Sequence, residues 1–423
     1  MFRFIYKYGY TNLKDVAFSQ EQYSFEEITQ IDLSKIKINR NLNSNIDSDD
    51  VCVFPIDFQG IHFDSIIENI KEICLEAERL CKENKTIILL YTSTEPFFFG
   101  QADDILFDLV KRFDTLNFAL SGIGYTGIND DSQKLLDLPN VSFITKLWYF
   151  DRVHLEKTYI DKSGPHHFIR EDQEAPKDFP KDLLQPNKFL LIMRNPRLHR
   201  LIMSSFIEND KLLNSTRYSR NWSLNAYHIQ DILKNKNINN DEAIYQTHLI
   251  LDNINQLRGI LDDRRFRTML DTAFEPAITL DMPDIGYRGF PESWLFNDIS
   301  INIVAGGEGE GYGCADEKQM IPMYYKKPFI NFGCKGVNEE LEKIGFHVFR
   351  DCWDLSWSNA NFLWDRVNGC FQLLKKLSTL SEHDMEQLIL KATPQIERNY
   401  KHIKTGNFRI QSNENFMRSL AEC

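Results

Sequence analysis

No stretch of this chain approaches the roughly 20 apolar residues that a membrane-spanning helix needs. The longest apolar runs, such as Ile87–Leu90 and Phe189–Met193, are strand-sized. The N-terminus, Met1-Phe-Arg-Phe-Ile-Tyr-Lys-Tyr8, lacks the apolar core and small-residue cleavage site of a signal peptide. A cytoplasmic location is therefore expected, not export. The eight cysteines, at 52, 74, 81, 314, 334, 352, 370 and 423, form no CxxC pair. A disulfide framework is not expected at this length, and the thiols read as reduced and mostly buried. The ten histidines form neither HExxH nor a Cys/His cluster, so no metal site is expected. Positive charge is also in deficit. A formal net charge of −12 argues against a strong, sequence-independent hold on nucleic acid, although one cleft can still be locally basic.

What is present is the composition of a folded protein. Hydrophobic residues make up 42% of the chain and charged residues 26%, while 31 Phe and 16 Tyr supply large cores. At 423 residues the chain is too long for one ordinary core and suits two domains of about 200 residues each.

The first half alternates strand and helix signals. Val51–Ile56 is a short apolar run, and Ile66–Cys81 has apolar residues at helical spacing. Thr86–Tyr91 is β-branched and ends in the polar loop Thr92-Ser-Thr-Glu95-Pro96. A helix is expected at Asp104–Phe113, with strands at Leu116–Leu120 and Val141–Ile144. Such alternation implies a parallel sheet wrapped by crossover helices. Residues 151–187, with Gly164-Pro165, Pro176, Pro180 and Pro186, break the pattern and read as a linker. The alternation restarts at Lys188–Met193 and continues with helical segments over 225–275 and a strand at Ile299–Val304. The fold class read from this is α/β, with two Rossmann-like lobes facing a cleft.

Four features of the second half fall where a ligand would bind. Met193-Arg194-Asn-Pro-Arg197-Leu-His199-Arg200 directly follows an apolar strand, and ligands of open α/β sheets bind outside the carboxyl ends of strands. Arginine forks match phosphate oxygens, although a solvated loop would look the same. Ala305-Gly-Gly-Glu308-Gly-Glu-Gly-Tyr-Gly313 follows another strand; its glycines would let backbone approach a ligand closely, and a plain flexible loop is the alternative. Asp316-Glu317-Lys318 opens an amphipathic helix whose N-terminus would favour anions, and in which Pro322 is tolerable only near the first turn. An acid there can be a simple dipole partner, or can accept bonds from vicinal sugar hydroxyls. Lys327-Pro-Phe-Ile-Asn331, then Leu341, Gly345-Phe346 and Phe349, reads mostly as strand, helix, strand.

The series Glu317, Lys318, Pro322, Lys327, Pro328, Phe329, Ile330, Leu341, Gly345, Phe346 and Phe349 resembles a largely uncharacterised family of phage and bacterial glycosyltransferases of GT-B type. Arg194, Arg197, His199 and Arg200 fit that family's Arg-rich loop. Its acidic-Ser-aromatic stretch is met by Asp354-Leu-Ser356-Trp357, without the neighbouring acids. The resemblance covers about 190–360.

It implies an acceptor-side domain over 1–165, a linker at 166–187, a nucleotide-sugar domain over 188–404 and a tail at 405–423. It further implies that Glu317 holds the ribose or donor sugar, that Arg194, Arg200 and Lys318 face the diphosphate, and that Glu308 reaches the transferred sugar. The partners would be a nucleotide-sugar and a glycan or other hydroxyl acceptor. No cofactor and no metal is implied, because basic residues and helix N-termini neutralise the departing phosphate. An inverting enzyme also needs a base, and Glu95 is the expected one. Ser121–Gly127 would shape acceptor access.

Asp47-Ser48-Asp49 matches the metal-binding DxD of the other large transferase class, but it precedes the apolar run Val51–Pro55 instead of ending it, so a solvated loop is expected. Arg264, Arg265 and Arg267 with Asp262 and Asp263 read as an ion-paired helix face. A nucleotide-sugar epimerase and a catalytically silent binding protein on the same scaffold are the rival readings.

Overall fold

Short apolar runs separated by helices have little choice but to form parallel sheets, since parallel neighbours must be joined by a crossover. The computed structural model contains two such sheets. It describes residues 2–5, 36–39, 50–57, 63–80, 82–91, 103–121, 135, 137–144, 146, 187–193, 198–210, 212–220, 293–306 and 315–423. The first sheet is built from β1 (Phe2–Ile5), β2 (Ile36–Asn39), β3 (Val51–Asp57), β4 (Thr86–Tyr91), β5 (Asn117–Ser121) and β6 (Val141–Ile144). Its order is β2-β1-β3-β4-β5-β6, parallel throughout, with Val53 opposite Ile87 and Ile88 opposite Phe118. Helices α1 (Phe63–Leu80) and α2 (Asp103–Arg112) lie on the path between its strands.

Side chains of a strand alternate between faces, and here both faces are apolar. Cys52, Phe54, Ile88, Leu90, Phe118 and Leu120 share a core with Ile70, Ile73 and Cys74 of α1 and Leu106 and Val110 of α2. Val53, Ile87, Leu89, Ala119 and Ile144 face the other way. That is why Thr86–Tyr91 is buried at every position and reads as a continuous apolar run.

The second sheet has the order β10-β9-β7-β8, again all parallel: β7 (Asn187–Met193), β8 (Thr216–Arg220), β9 (Ile299–Ala305) and β10 (Phe329–Phe332). Its helices are α3 (Leu198–Asn209), α4 (Glu317–Tyr324), α5 (Val337–Lys343), α6 (Leu363–Ser378) and α7 (Glu382–Thr405), followed by α8 (Asn407–Glu422). α3 packs on α6, and α4 on α7. Gly369 in α6 admits Trp357: a Cβ there would lie 2.3 Å from the Trp357 Cβ.

The tail expected at 405–423 is helical and reaches both cores. Gly406, with φ of 70°, sits in the left-handed region that ends α7 and opens α8. Phe408 at the start of α8 belongs to the second core, while Phe416 and Leu420 near its end pack on the open face of the first sheet. Among the described residues no helix is long and apolar enough to cross a membrane. The linker expected at 166–187, apart from Asn187 in β7, the helical segments over 225–275, the loop at 122–127, Asp47-Ser48-Asp49 and the charged group Asp262–Arg267 lie outside the described residues.

Candidate functional site

The strand order locates a crevice. From β7 the chain passes through α3 to β8 on one side; from β9 it passes through α4 to β10 on the other. The connections therefore part between β7 and β9. Right-handed crossovers running in opposite directions put α3 and α4 on opposite faces of the sheet. At such a switch point the loops diverge and leave an opening outside the carboxyl ends of the strands, where ligands of open α/β sheets bind.

The sequence-predicted residues of the second half belong to the two segments that flank this point. Arg194 follows Met193, the last residue of β7, and Glu308 lies two residues beyond Gly306, which ends the described part of the chain after β9. Both lie outside the described residues, as does Glu95, which follows β4. Glu317 is the first residue of α4; its side chain is not described.

Two predicted cations are described. Arg200, in the first turn of α3, is buried and donates from Nη2 to Gly306 O at 2.7 Å, with Ala305 O at 3.4 Å. Its neighbour His199, also buried, places Nε2 2.9 Å from the same Gly306 oxygen. Lys318 donates from Nζ to Asp316 Oδ2 at 2.9 Å, with the lysine side chain 23% exposed. Two of the cations assigned to a ligand thus have partners within the protein: Arg200 the end of β9, Lys318 the cap of its own helix.

Asp316, beside Glu317, is the residue that closes the start of the helix. It is the N-cap of α4: Oδ1 accepts the Lys318 N–H at 2.9 Å, and its own N–H donates to Gln319 Oε1 at 2.8 Å, completing a capping box. The signal was legible as acid-x-x-Gln before an apolar run. Pro322 lies in the second turn of α4, further in than the first-turn placement the sequence reading required. It removes the N–H that would bond to Lys318 O. The helix stops two residues later, and Lys327 N donates back to Pro322 O at 2.8 Å.

Several residues of the family-like series do structural work away from the crevice. Lys327 Nζ donates to Ile299 O at the start of β9, the opposite edge of the sheet. Nearby Arg217 donates from Nη1 to Leu295 O and Asn297 O. Burial pushes the pKa of both cations down, and Asp298 opposes the shift. Gly345 has φ of 93° and faces His402, whose Nε2 a Cβ would approach to 2.8 Å. Phe346 packs against His402 and Phe408, and Phe349 against Phe329. Asp354 is exposed; the Ser356 N–H on its Oδ1 at 2.8 Å turns the chain into the 3-10 turn Ser356–Asn359 and lowers its pKa.

No family model matches this chain, and no curated protein matches it. Among solved structures it is similar to an alpha,alpha-trehalose-phosphate synthase (UDP-forming) from Burkholderia vietnamiensis: 10% identity, TM-score 0.37, covering 89% of this chain and 74% of that one. It is also similar to an alpha,alpha-trehalose 6-phosphate synthase from Burkholderia multivorans: 9% identity, TM-score 0.38, covering 89% and 72%.

Proposed function

We propose that the chain is a glycosyltransferase of GT-B type, with its nucleotide-sugar donor at the switch point between β7 and β9. One observation carries this reading: the segments bearing Arg194, Glu308 and Glu317 leave the sheet from the two strands where the connections part. Arg194 would meet the diphosphate, the Glu317 carboxylate the ribose or sugar hydroxyls, and Glu308 the transferred sugar. Arginine charge would offset the negative charge that develops on the leaving phosphate, in place of a metal. Arg200 would contribute through the backbone it holds.

In an inverting reaction a base on the first unit, for which Glu95 is the candidate, takes the proton of the acceptor hydroxyl. The freed oxygen pair forms the new bond to the anomeric carbon as the bond to the phosphate oxygen breaks. The nucleoside diphosphate departs with that electron pair.

The test is release of nucleoside diphosphate from UDP-glucose, GDP-mannose and their relatives, with and without sugar acceptors. Acceptor-dependent release supports the reading. A silent binding scaffold is favoured by the partners that Arg200 and Lys318 already have within the protein. It predicts neither release nor nucleotide binding.

A further inference from the structure

Asn331 lies in β10 and Asn338 in the first turn of α5, and their exposures are only 2% and 1%. Asn331 Nδ2 donates to Asn338 Oδ1 at 2.9 Å. That single bond leaves Asn331 Oδ1 and Asn338 Nδ2 shielded from solvent and without a protein partner. The surroundings are apolar. Phe329, on the same face of β10 by alternation, packs against Phe349, and Val337 and Leu341 of α5 are buried.

The Asn331–Asn338 bond spans a tight turn. Gly333 and Gly336, with φ of 135° and 78°, carry the chain from β10 into α5 through backbone conformations that side chains disfavour. Arg366 of α6 holds the turn by donating from Nε to Gly333 O at 2.8 Å, and the Gly336 N–H donates to Asn359 Oδ1 at 3.2 Å. With the turn tied at these places, the two amides are fixed where they are buried.

Burying an amide is costly unless its donors and acceptors are met. Buried polar groups that lack a protein partner are met by ordered water. Within each amide the oxygen and nitrogen share one carbon, so the two remaining atoms stand on either side of the Asn331–Asn338 bond. One is an acceptor and the other a donor, and they do not bond to each other.

We propose that Asn331 and Asn338 form an internal binding site for one water molecule. The water donates to Asn331 Oδ1, accepts from Asn338 Nδ2 and so bridges β10 to α5. An enclosure that offers two polar partners hydrates, whereas a purely apolar one stays dry. The site is independent of the donor-site reading above.

Nuclear magnetic resonance on the whole wild-type chain, isotope-labelled at its asparagine nitrogens, tests this. The Asn338 NH2 protons should show a contact to the water resonance, with the opposed NOE and ROE signs of a water that tumbles with the protein. Loss of that NH2 pair in Asn338→Leu assigns it; if that variant does not fold, the contact with the Asn331 NH2 group in the wild type does so. Ser358 Oγ, another buried atom without a partner, belongs to a hydroxyl able to relay exchange, so the contact should survive in Ser358→Ala. A crystal structure should show a density peak within hydrogen-bond distance of both asparagine atoms.

No water contact at Asn338 in the folded wild type would overturn the proposal. So would a direct bond from Asn338 Nδ2 to Asn331 Oδ1, with the two amides closed on each other. Loss of the contact in folded Ser358→Ala would assign the signal to the hydroxyl and overturn it as well.

Discussion

Lys146 donates a 2.7 Å hydrogen bond to Asn413 Oδ1, joining residues 267 positions apart in the chain. The same ammonium reaches Ser412 Oγ at 3.2 Å and stands 5.6 Å over the Phe416 ring, all in a buried setting. It fastens α8, whose first turn is rooted in the second core, to the end of β6 in the first sheet. A buried charge-assisted bond is worth about 1.5–3 kcal/mol, so Lys146→Met should lower unfolding stability by that order. Phe416→Ala, which empties part of the first sheet's open face, should cost about 3–5 kcal/mol. Urea denaturation followed by circular dichroism reads both. Wild-type midpoints would show that α8 does not stabilise the first unit.

Gly369 offers a test in which two effects oppose. Alanine in a helix interior is favoured over glycine by about 1 kcal/mol. Here the added Cβ would sit 2.3 Å from the Trp357 Cβ, and overpacking typically costs about 1–3 kcal/mol. Gly369→Ala should therefore destabilise. The loss should shrink in a Trp357→Ala background, where the clash is gone. A stabilised single variant would mean that Trp357 moves away at little cost.

The cap of α4 separates charge from hydrogen bonding. Asp316→Ala removes the acceptor for the Lys318 N–H and should cost about 0.5–2 kcal/mol. Asp316→Asn keeps a cap and loses only the ion pair with the partly exposed Lys318, so it should cost less than about 1 kcal/mol. Thermal denaturation of the two variants side by side measures the difference. Equal losses would assign the stabilisation to the ion pair.

Much of the fold was legible because the cores are built from local apolar runs. Thr86–Tyr91 and Val141–Ile144 form strands with the bounds read from the sequence, and most other strand and helix ends shift by one to three residues, while the strand expected around Phe346 and Phe349 is not formed. The strands that escaped notice lack such runs. Phe-Arg-Phe-Ile and Ile-Lys-Ile-Asn are only four residues long, and Thr-Arg-Tyr-Ser-Arg of β8 is mostly polar. Thr216–Ser219 of β8 are nonetheless buried, with Arg217 Nη1 donating to the carbonyls of Leu295 and Asn297. The docking of α8 was not legible at all, since its partners lie far away in the chain and no local pattern records them. At the switch point, the candidate site residues read from the sequence fall on segments outside the described residues, apart from Arg200, Lys318 and the backbone of Glu317. The hold of His199 and Arg200 on one carbonyl depends on β7 and β9 being neighbours, which no spacing in the sequence reveals.

On the acceptor side, Glu95→Gln keeps size and hydrogen-bonding capacity while removing basicity. General-base catalysis is worth about 10²–10⁴-fold, so transfer with saturating acceptor should fall at least a hundredfold. Donor affinity should stay near the wild-type value, because the donor is assigned to the second sheet. Transfer at the wild-type rate would place the base elsewhere or indicate a retaining reaction. Joint loss of binding and rate would make Glu95 a structural residue.

Calorimetric titration reads whether a nucleoside diphosphate binds at the switch point between β7 and β9. UDP, GDP and the uncharged nucleosides uridine and guanosine are titrated into the wild type, Glu317→Ala and Arg194→Lys. One diphosphate should bind far better than its nucleoside. Glu317→Ala should weaken it by about 1.5–3 kcal/mol, or roughly tenfold to 150-fold, and Arg194→Lys should erode the advantage of the diphosphate because an ammonium cannot copy the fork. No binding of either diphosphate to the folded wild type, or equal affinity in all three proteins, would contradict it.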